Sequence, residues 1–183
     1  MKSVVINLLS FKLGWAAVIL AAAASMPALG LLAIAAVVAL HLARTPDVRL
    51  EAVVLLTAAA IGFIWESALV ATGLLGYDTG FLVPGMAPYW IVAMWVLFAT
   101  TLNVGMRWMR KSAVVAAIAG GLGGPMAFAA GERMGAVTFA DPVLSLAAVG
   151  FGWALLLPVL VNVAKRYDGH AAVPVLANPV TNP

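Results

Sequence analysis

The run from Leu50 to Leu75 is long enough to cross a bilayer, and it carries a carboxylate, Glu66, well inside it. A hydrocarbon core of ~30 Å takes about 20 apolar residues per helix. Lipid cannot solvate a carboxylate at that depth, so such a side chain faces a bundle interior or a wet cavity. The run therefore requires neighbours, and the other apolar runs are read as helices placed around Glu66. Composition agrees with a membrane protein: 64% of the 183 residues are hydrophobic and 9% are charged, against roughly 45–50% apolar and about 25% charged in soluble domains.

The apolar stretch from Leu13 to Ala43 is too long for one span and sufficient for two short ones. Ser25-Met26-Pro27 is the turn signal inside it, with Pro27 suited to the first position of a helix. The expected spans are residues 9–25, 28–43, 50–75, 89–106, 112–130 and 143–164, with residues 167–183 a disordered, Pro- and Asn-rich tail. Lys12 is placed in the first turns of span 1, where its stem can snorkel to the surface. A signal peptide competes for the N-terminus, since Lys2, an apolar stretch and Ala21-Ala22-Ala23 follow that order. Asn7 and Lys12 interrupt its apolar region and favour a retained span.

Charge supports six crossings. With the N-terminus inside, every Lys and Arg except Arg133 falls on the inner side, whereas a single first span would move Arg44 and Arg49 outside. The positive-inside rule thus predicts an all-α bundle of six transmembrane helices with both termini cytoplasmic. The net charge of +3 comes from short basic clusters between apolar runs, which is a topology pattern and not a nucleic-acid surface. The absence of cysteine excludes disulfides, thiolate metal sites and a cysteine nucleophile. His41 ends an apolar run and His170 lies in the tail, so a bis-histidine haem or His-rich metal centre within the bilayer is not expected. No cofactor and no metal ligand is assigned.

Glu66 is the leading candidate. It reads as a proton carrier, a general base, an anchor for a polar substrate group, or a hydrogen-bonded carboxyl that simply joins helices. Gly62 and Gly73 share its helix face and would admit a close neighbour. Trp65 and Trp95 lie deep enough to wall a pocket for a lipid chain, or to pack as ordinary core. Gly120 and Gly124 form a small-xxx-small pair, and Pro125 is expected to kink or break span 5, a feature that in transporters lines binding sites. Glu132 and Arg133 form either a solvated pair or an outer anchor able to reach Glu66 or a lipid phosphate. Ala59–Trp65 resembles Ala147–Trp153, as an inverted repeat would, although Ala154 stands where Glu66 would recur. In so Ala- and Gly-rich a chain, chance produces such a match readily. No nucleophile–base pair is evident, and no catalytic residue is assigned.

Over about residues 5–165 the chain resembles DUF2878, a family of small bacterial integral membrane proteins of unknown function. The resemblance is carried by Phe11–Trp15, Glu66 with Gly73, Pro88–Trp95 with Phe98, Gly124-Pro125, and Gly131 through Gly135-Ala136. Lys12 and Phe128 depart from the residue types expected at their positions. The resemblance implies the bacterial inner (cytoplasmic) membrane. Members of the family are often encoded near enzymes that modify membrane fatty acids, which implies a role in the same process. The expected function is therefore binding or processing of a membrane lipid or lipid precursor, with Glu66, Trp65, Trp95, Gly124, Pro125, Glu132 and Arg133 as candidate contacts. A small proton-coupled transporter and a non-catalytic scaffold subunit of a membrane enzyme are the alternatives. The partners expected are membrane lipids and a membrane enzyme, and not nucleic acid; the residues leave the oligomeric state open.

Overall fold

The computed structural model describes residues 2–171. Six α-helices follow one another: α1 Lys2–Ala23, α2 Pro27–Leu42, α3 Val48–Ala71, α4 Tyr89–Ala99, α5 Ala113–Arg133 and α6 Pro142–Arg166. Four of them, α1, α3, α5 and α6, are long and apolar enough to cross a membrane; α2 and α4 are shorter. Two short strands, β1 Leu75–Gly76 and β2 Thr138–Phe139, pair antiparallel and tie the α3–α4 link to the α5–α6 link.

The helix ends have local causes. Ser25 turns the chain with φ at 58°, and Pro27 then opens α2, as its missing N–H allows at that position. The Asp47 carboxylate accepts from the N–H groups of Arg49 and Leu50 at 3.0 and 3.1 Å and starts α3. Gly73, at φ +72°, ends α3 through a paired closure in which Gly73 N donates to Val70 O and Leu74 N to Leu69 O. Gly73 is therefore a helix stop and not a packing notch: a Cβ there would meet nothing within 4 Å. With α3 ending at Ala71, Glu66 lies about 8 Å from that end, not the ~13 Å that a helix reaching Leu75 would give.

Four further expectations are corrected. Span 4 does not continue as α-helix to Met106. The Thr100 and Thr101 hydroxyls donate back to Leu97 O and Phe98 O, and the chain proceeds through i→i+3 turns to a 3₁₀ segment at Arg107–Lys111. Helix α5 is neither broken nor interrupted at Pro125. The Pro125 ring and the carbonyl of Gly121, which lost its donor, both abut Gly150 on α6, where the absence of a side chain admits them. Residues Tyr167–Ala171 do not start a disordered tail. They fold back so that Gly169 O accepts from Asp47 N at 3.0 Å, and Gly169 packs against Asp47 and Glu51. Residues 172–183 of the expected tail lie outside the described residues. Lys12 sits near the middle of α1, since nothing from Ser3 to Leu13 breaks that helix.

The core is built on α4, which packs against α1, α2 and α3, while α3 also touches α6. Helix α5 packs on α6 and the 3₁₀ segment, so its face toward α1 and α4 stands apart from them. Tryptophans fill glycine notches: Trp95 against Gly62, Trp65 against Gly152, Trp153 against Gly124 and Trp90 against Gly80.

Candidate functional site

Glu66 is fully buried. Its Oε1 accepts from Trp95 Nε1 at 3.0 Å and its Oε2 accepts from the Tyr77 hydroxyl at 3.0 Å. Each donor is placed by its own surroundings. Gly62, one helical turn before Glu66 on α3, leaves the space that the Trp95 indole occupies. Tyr77 follows β1 directly, and the β1–β2 pairing fixes where it emerges. Its ring stands edge-on to Trp90 at 5.4 Å, and Trp90 is held by Nε1 donating to Thr79 O at 3.1 Å. Burial, with Glu66 beside it, pushes the Tyr77 hydroxyl well above its usual range, so it remains a donor.

Tyr77 and Trp95 also border a cleft of about 420 Å³ between α1, α4, α5 and α6. This is the space left where α5 stands away from α1 and α4. Its walls are aromatic and small, with Phe11, Trp15 and Phe98 facing Gly120, Gly123 and Gly124. A volume in the range of roughly 300–1,000 Å³, apolar walls and a few polar groups are the ordinary properties of a small-molecule site. Trp153 stacks on Trp95 at 4.5 Å and 18°, which joins the cleft wall to the Glu66 group. Among the lining residues Lys12 is the one charged side chain.

The sequence candidates separate accordingly. Glu66 and Trp95 are in contact, and Gly124 is on the cleft wall. Trp65 instead enters the Gly152 notch on α6, with its Nε1 buried and without a partner among the described residues. Pro125 faces α6. Glu132 and Arg133 are exposed at the end of α5, and no ion pair links either to Glu66 among the described residues. Tyr77 and Lys12 were not foreseen. Tyr77 lies in a loop whose fold depends on β2, far along the chain.

A second polar group, also unforeseen, gathers where α2 ends, α3 begins and the chain leaves α6. His41 Nε2 lies 2.7 Å from Glu51 Oε1, and Asn103 Nδ2 donates to Glu51 Oε2 at 2.6 Å. Arg110 donates to Asn103 Oδ1 and, at 2.8 Å, to Asp168. Arg107 grips both Asp168 oxygens at 2.7 Å. Partial burial works against ionising Asp168, but Arg110 and Arg107 outweigh it and hold the carboxyl below its usual range. His170 is held below its ordinary value by burial, with repulsion from His41 adding to it and attraction to Glu51 opposing it.

No curated protein and no solved structure matches the chain. The family described as "Protein of unknown function (DUF2878)" matches residues 4–159. With the match running from the first turn of α1 into the last third of α6, the chain belongs to the DUF2878 family.

Proposed function

We propose that this is a membrane protein that takes the apolar chain of a lipid or lipid precursor into the cleft between α1, α4, α5 and α6, in the bacterial inner membrane. The carrying observation is the cleft itself: aromatic and glycine walls, with Tyr77 and Trp95 backed by buried Glu66 at one end. Lys12 offers a partner for an anionic head, and the Tyr77 hydroxyl, whose proton goes to Glu66, keeps an acceptor oxygen for a polar group. Exposed apolar side chains on the outward faces, such as Leu13, Leu32, Leu56 and Leu122, suit contact with lipid and not with water.

The proposed topology has six crossings with both ends cytoplasmic. Its support is that His41, Arg107, Arg110 and Asp168 meet at one end of the bundle, the end that also carries every basic cluster. The non-helical stretch after α4 is compatible with that depth, because Thr100, Thr101 and Asn103 are buried in protein. Because the chain has no cysteine, single cysteines report sidedness without interference. Asp78→Cys is expected to react with an impermeant maleimide from the periplasmic side, and Lys165→Cys only after the cells are opened. The reverse pattern would overturn this orientation.

Lipid binding is tested by filling the cleft without disturbing the helices. Gly123 lines the cleft, and a Cβ there meets nothing within 4 Å. Gly123→Leu is expected to leave the unfolding temperature unchanged and to remove the lipid that co-purifies with the wild type in native mass spectrometry. Retention of the same lipid in equal amount would refute the cleft as the binding place.

A further inference from the structure

The chain has two histidines and no cysteine. The two histidines are far apart in sequence, on α2 and in the turn after α6, yet their rings lie 5.0 Å apart beside one carboxylate, Glu51 of α3. The geometry points to a divalent transition-metal site, of the zinc type, formed by His41, Glu51 and His170. One ligand atom from each residue lies within 4.8 Å of the other two. Metal bonds of ~2.0–2.2 Å at tetrahedral angles place ligand atoms about 3.3 Å apart. His41 and Glu51 are already closer than this, and His170 needs a displacement on the order of 1 Å, which the surface turn carrying it can supply.

The surroundings are those a ligand set needs. Glu51 is fully buried and His41 nearly so, which fixes two ligands on the packed ends of α2 and α3. Asn103 donates to the Glu51 oxygen that His41 leaves free, and Arg110 holds Asn103 in turn. Thr45 donates to His41 O at 2.9 Å and lies 3.0 Å from His170 Nε2, so one hydroxyl steadies both histidine segments. Such outer partners orient first ligands and raise affinity. Two imidazoles and one carboxylate without thiolate suit zinc, cobalt or nickel and not copper(I) or an iron–sulfur cluster.

The site also has an open side. A cavity of about 280 Å³ borders His41 and His170 and is lined by Asn7, Ser10, Asn103 and Arg107. Asn7 Oδ1 is buried there with no hydrogen-bond partner among the described residues. Three protein ligands with a free fourth position are the arrangement that keeps a water or an exchangeable ligand on the metal. A simple ion pair between His41 and Glu51 would explain those two residues. It gives no account of why the second histidine is brought to the same carboxylate, or of the polar cavity on that side.

The site lies at the opposite end of the bundle from Glu66 and stands independently of the lipid cleft. The test uses full-length protein in detergent with the affinity tag removed, stripped by chelator and then titrated with Zn²⁺ or Co²⁺ alone. One metal per chain is expected, with visible Co²⁺ absorption of a low-coordinate N/O site. His170→Gln, on the surface turn, and Glu51→Gln, which preserves shape and hydrogen bonding, are each expected to abolish stoichiometric binding. Thr45→Val is expected to weaken it by roughly 10–100-fold, the usual effect of removing an outer partner. Unchanged gel filtration and Trp fluorescence of His170→Gln would show that the bundle persists. Substoichiometric metal on the wild type, or binding that survives both ligand variants, would overturn the proposal. So would stabilisation by inorganic phosphate in the absence of any metal response, which would make the cavity an anion pocket.

Discussion

Replacing Gly120 by alanine is expected to force α5 away from α6 and to destabilise the protein by about 1–3 kcal/mol or more, the cost of overpacking a well-filled core. A Cβ at Gly120 would lie 2.8 Å from the carbonyl carbon of Trp153 and closer still to its oxygen. These are backbone atoms of a continuous helix, so no rotamer change relieves the clash. Between apolar helices in lipid, packing contact is itself the main attraction, so a forced separation removes what holds the pair. Gly124→Ala meets the Trp153 side chain instead, with Cγ at 2.5 Å. That indole is pinned by its stack on Trp95, so the disturbance passes on to the donor that holds Glu66. Gly121→Ala makes an ordinary 3.4 Å contact with Ala154, and Gly123→Ala meets nothing. The expected order of loss in detergent unfolding is Gly120, then Gly124, with Gly121 and Gly123 near wild type. Equal gains at all four positions, as alanine's higher helix propensity alone would give, would mean that the α5–α6 contact does not set the stability.

The glycine motif shows what the sequence can and cannot convey. The spacing of Gly120 and Gly124 correctly predicts a close helix contact, because small-xxx-small places both on one helix face. Nothing in the spacing says that Gly120 meets the backbone of α6 while the Trp153 indole fills the Gly124 notch. The Ala59–Trp65 and Ala147–Trp153 similarity illustrates the limit: Gly62 admits the Trp95 indole, whereas Gly150 at the corresponding place abuts Pro125. The run lengths predict the long helices, and Ser25-Met26-Pro27 predicts the first turn, because these are local properties. The early end of α4 was also local, in the Thr100-Thr101 hydroxyls, but hydropathy does not register a hydroxyl that bonds its own backbone. Burial of Glu66 follows from its depth in an apolar run. Its partners do not, because Tyr77 is delivered by a strand pair between two loops separated by a whole helical hairpin. The meeting of His41, Glu51 and His170 is illegible for the same reason: it depends on how three helix ends converge.

Glu66→Gln is expected to fold almost as well as the wild type, whereas Glu66→Leu is expected to lose several kcal/mol, and the difference follows from the donors around it. The Trp95 N–H can only donate, so the atom facing it must be an acceptor. The Tyr77 hydroxyl can donate or accept. A glutamine at position 66 satisfies both by turning its carbonyl toward Trp95 and its amide toward Tyr77, with that hydroxyl reversing role. A leucine leaves two buried donors without partners, at about 1–3 kcal/mol each. The second substitution in a double-mutant cycle then discriminates. Tyr77→Phe is expected to destabilise the wild type, because it removes one of the two donors to the carboxylate. In the Glu66→Leu background the same change removes an orphaned hydroxyl and is expected to stabilise. Such a reversal of sign is a coupling of about 0.5–3 kcal/mol between the two positions. Additive losses would show that Tyr77 and Glu66 do not act on one another in the folded protein. With stability preserved, Glu66→Gln becomes the variant in which a change of bound lipid or of flux reports the carboxylate's charge and proton, free of any damage to the bundle.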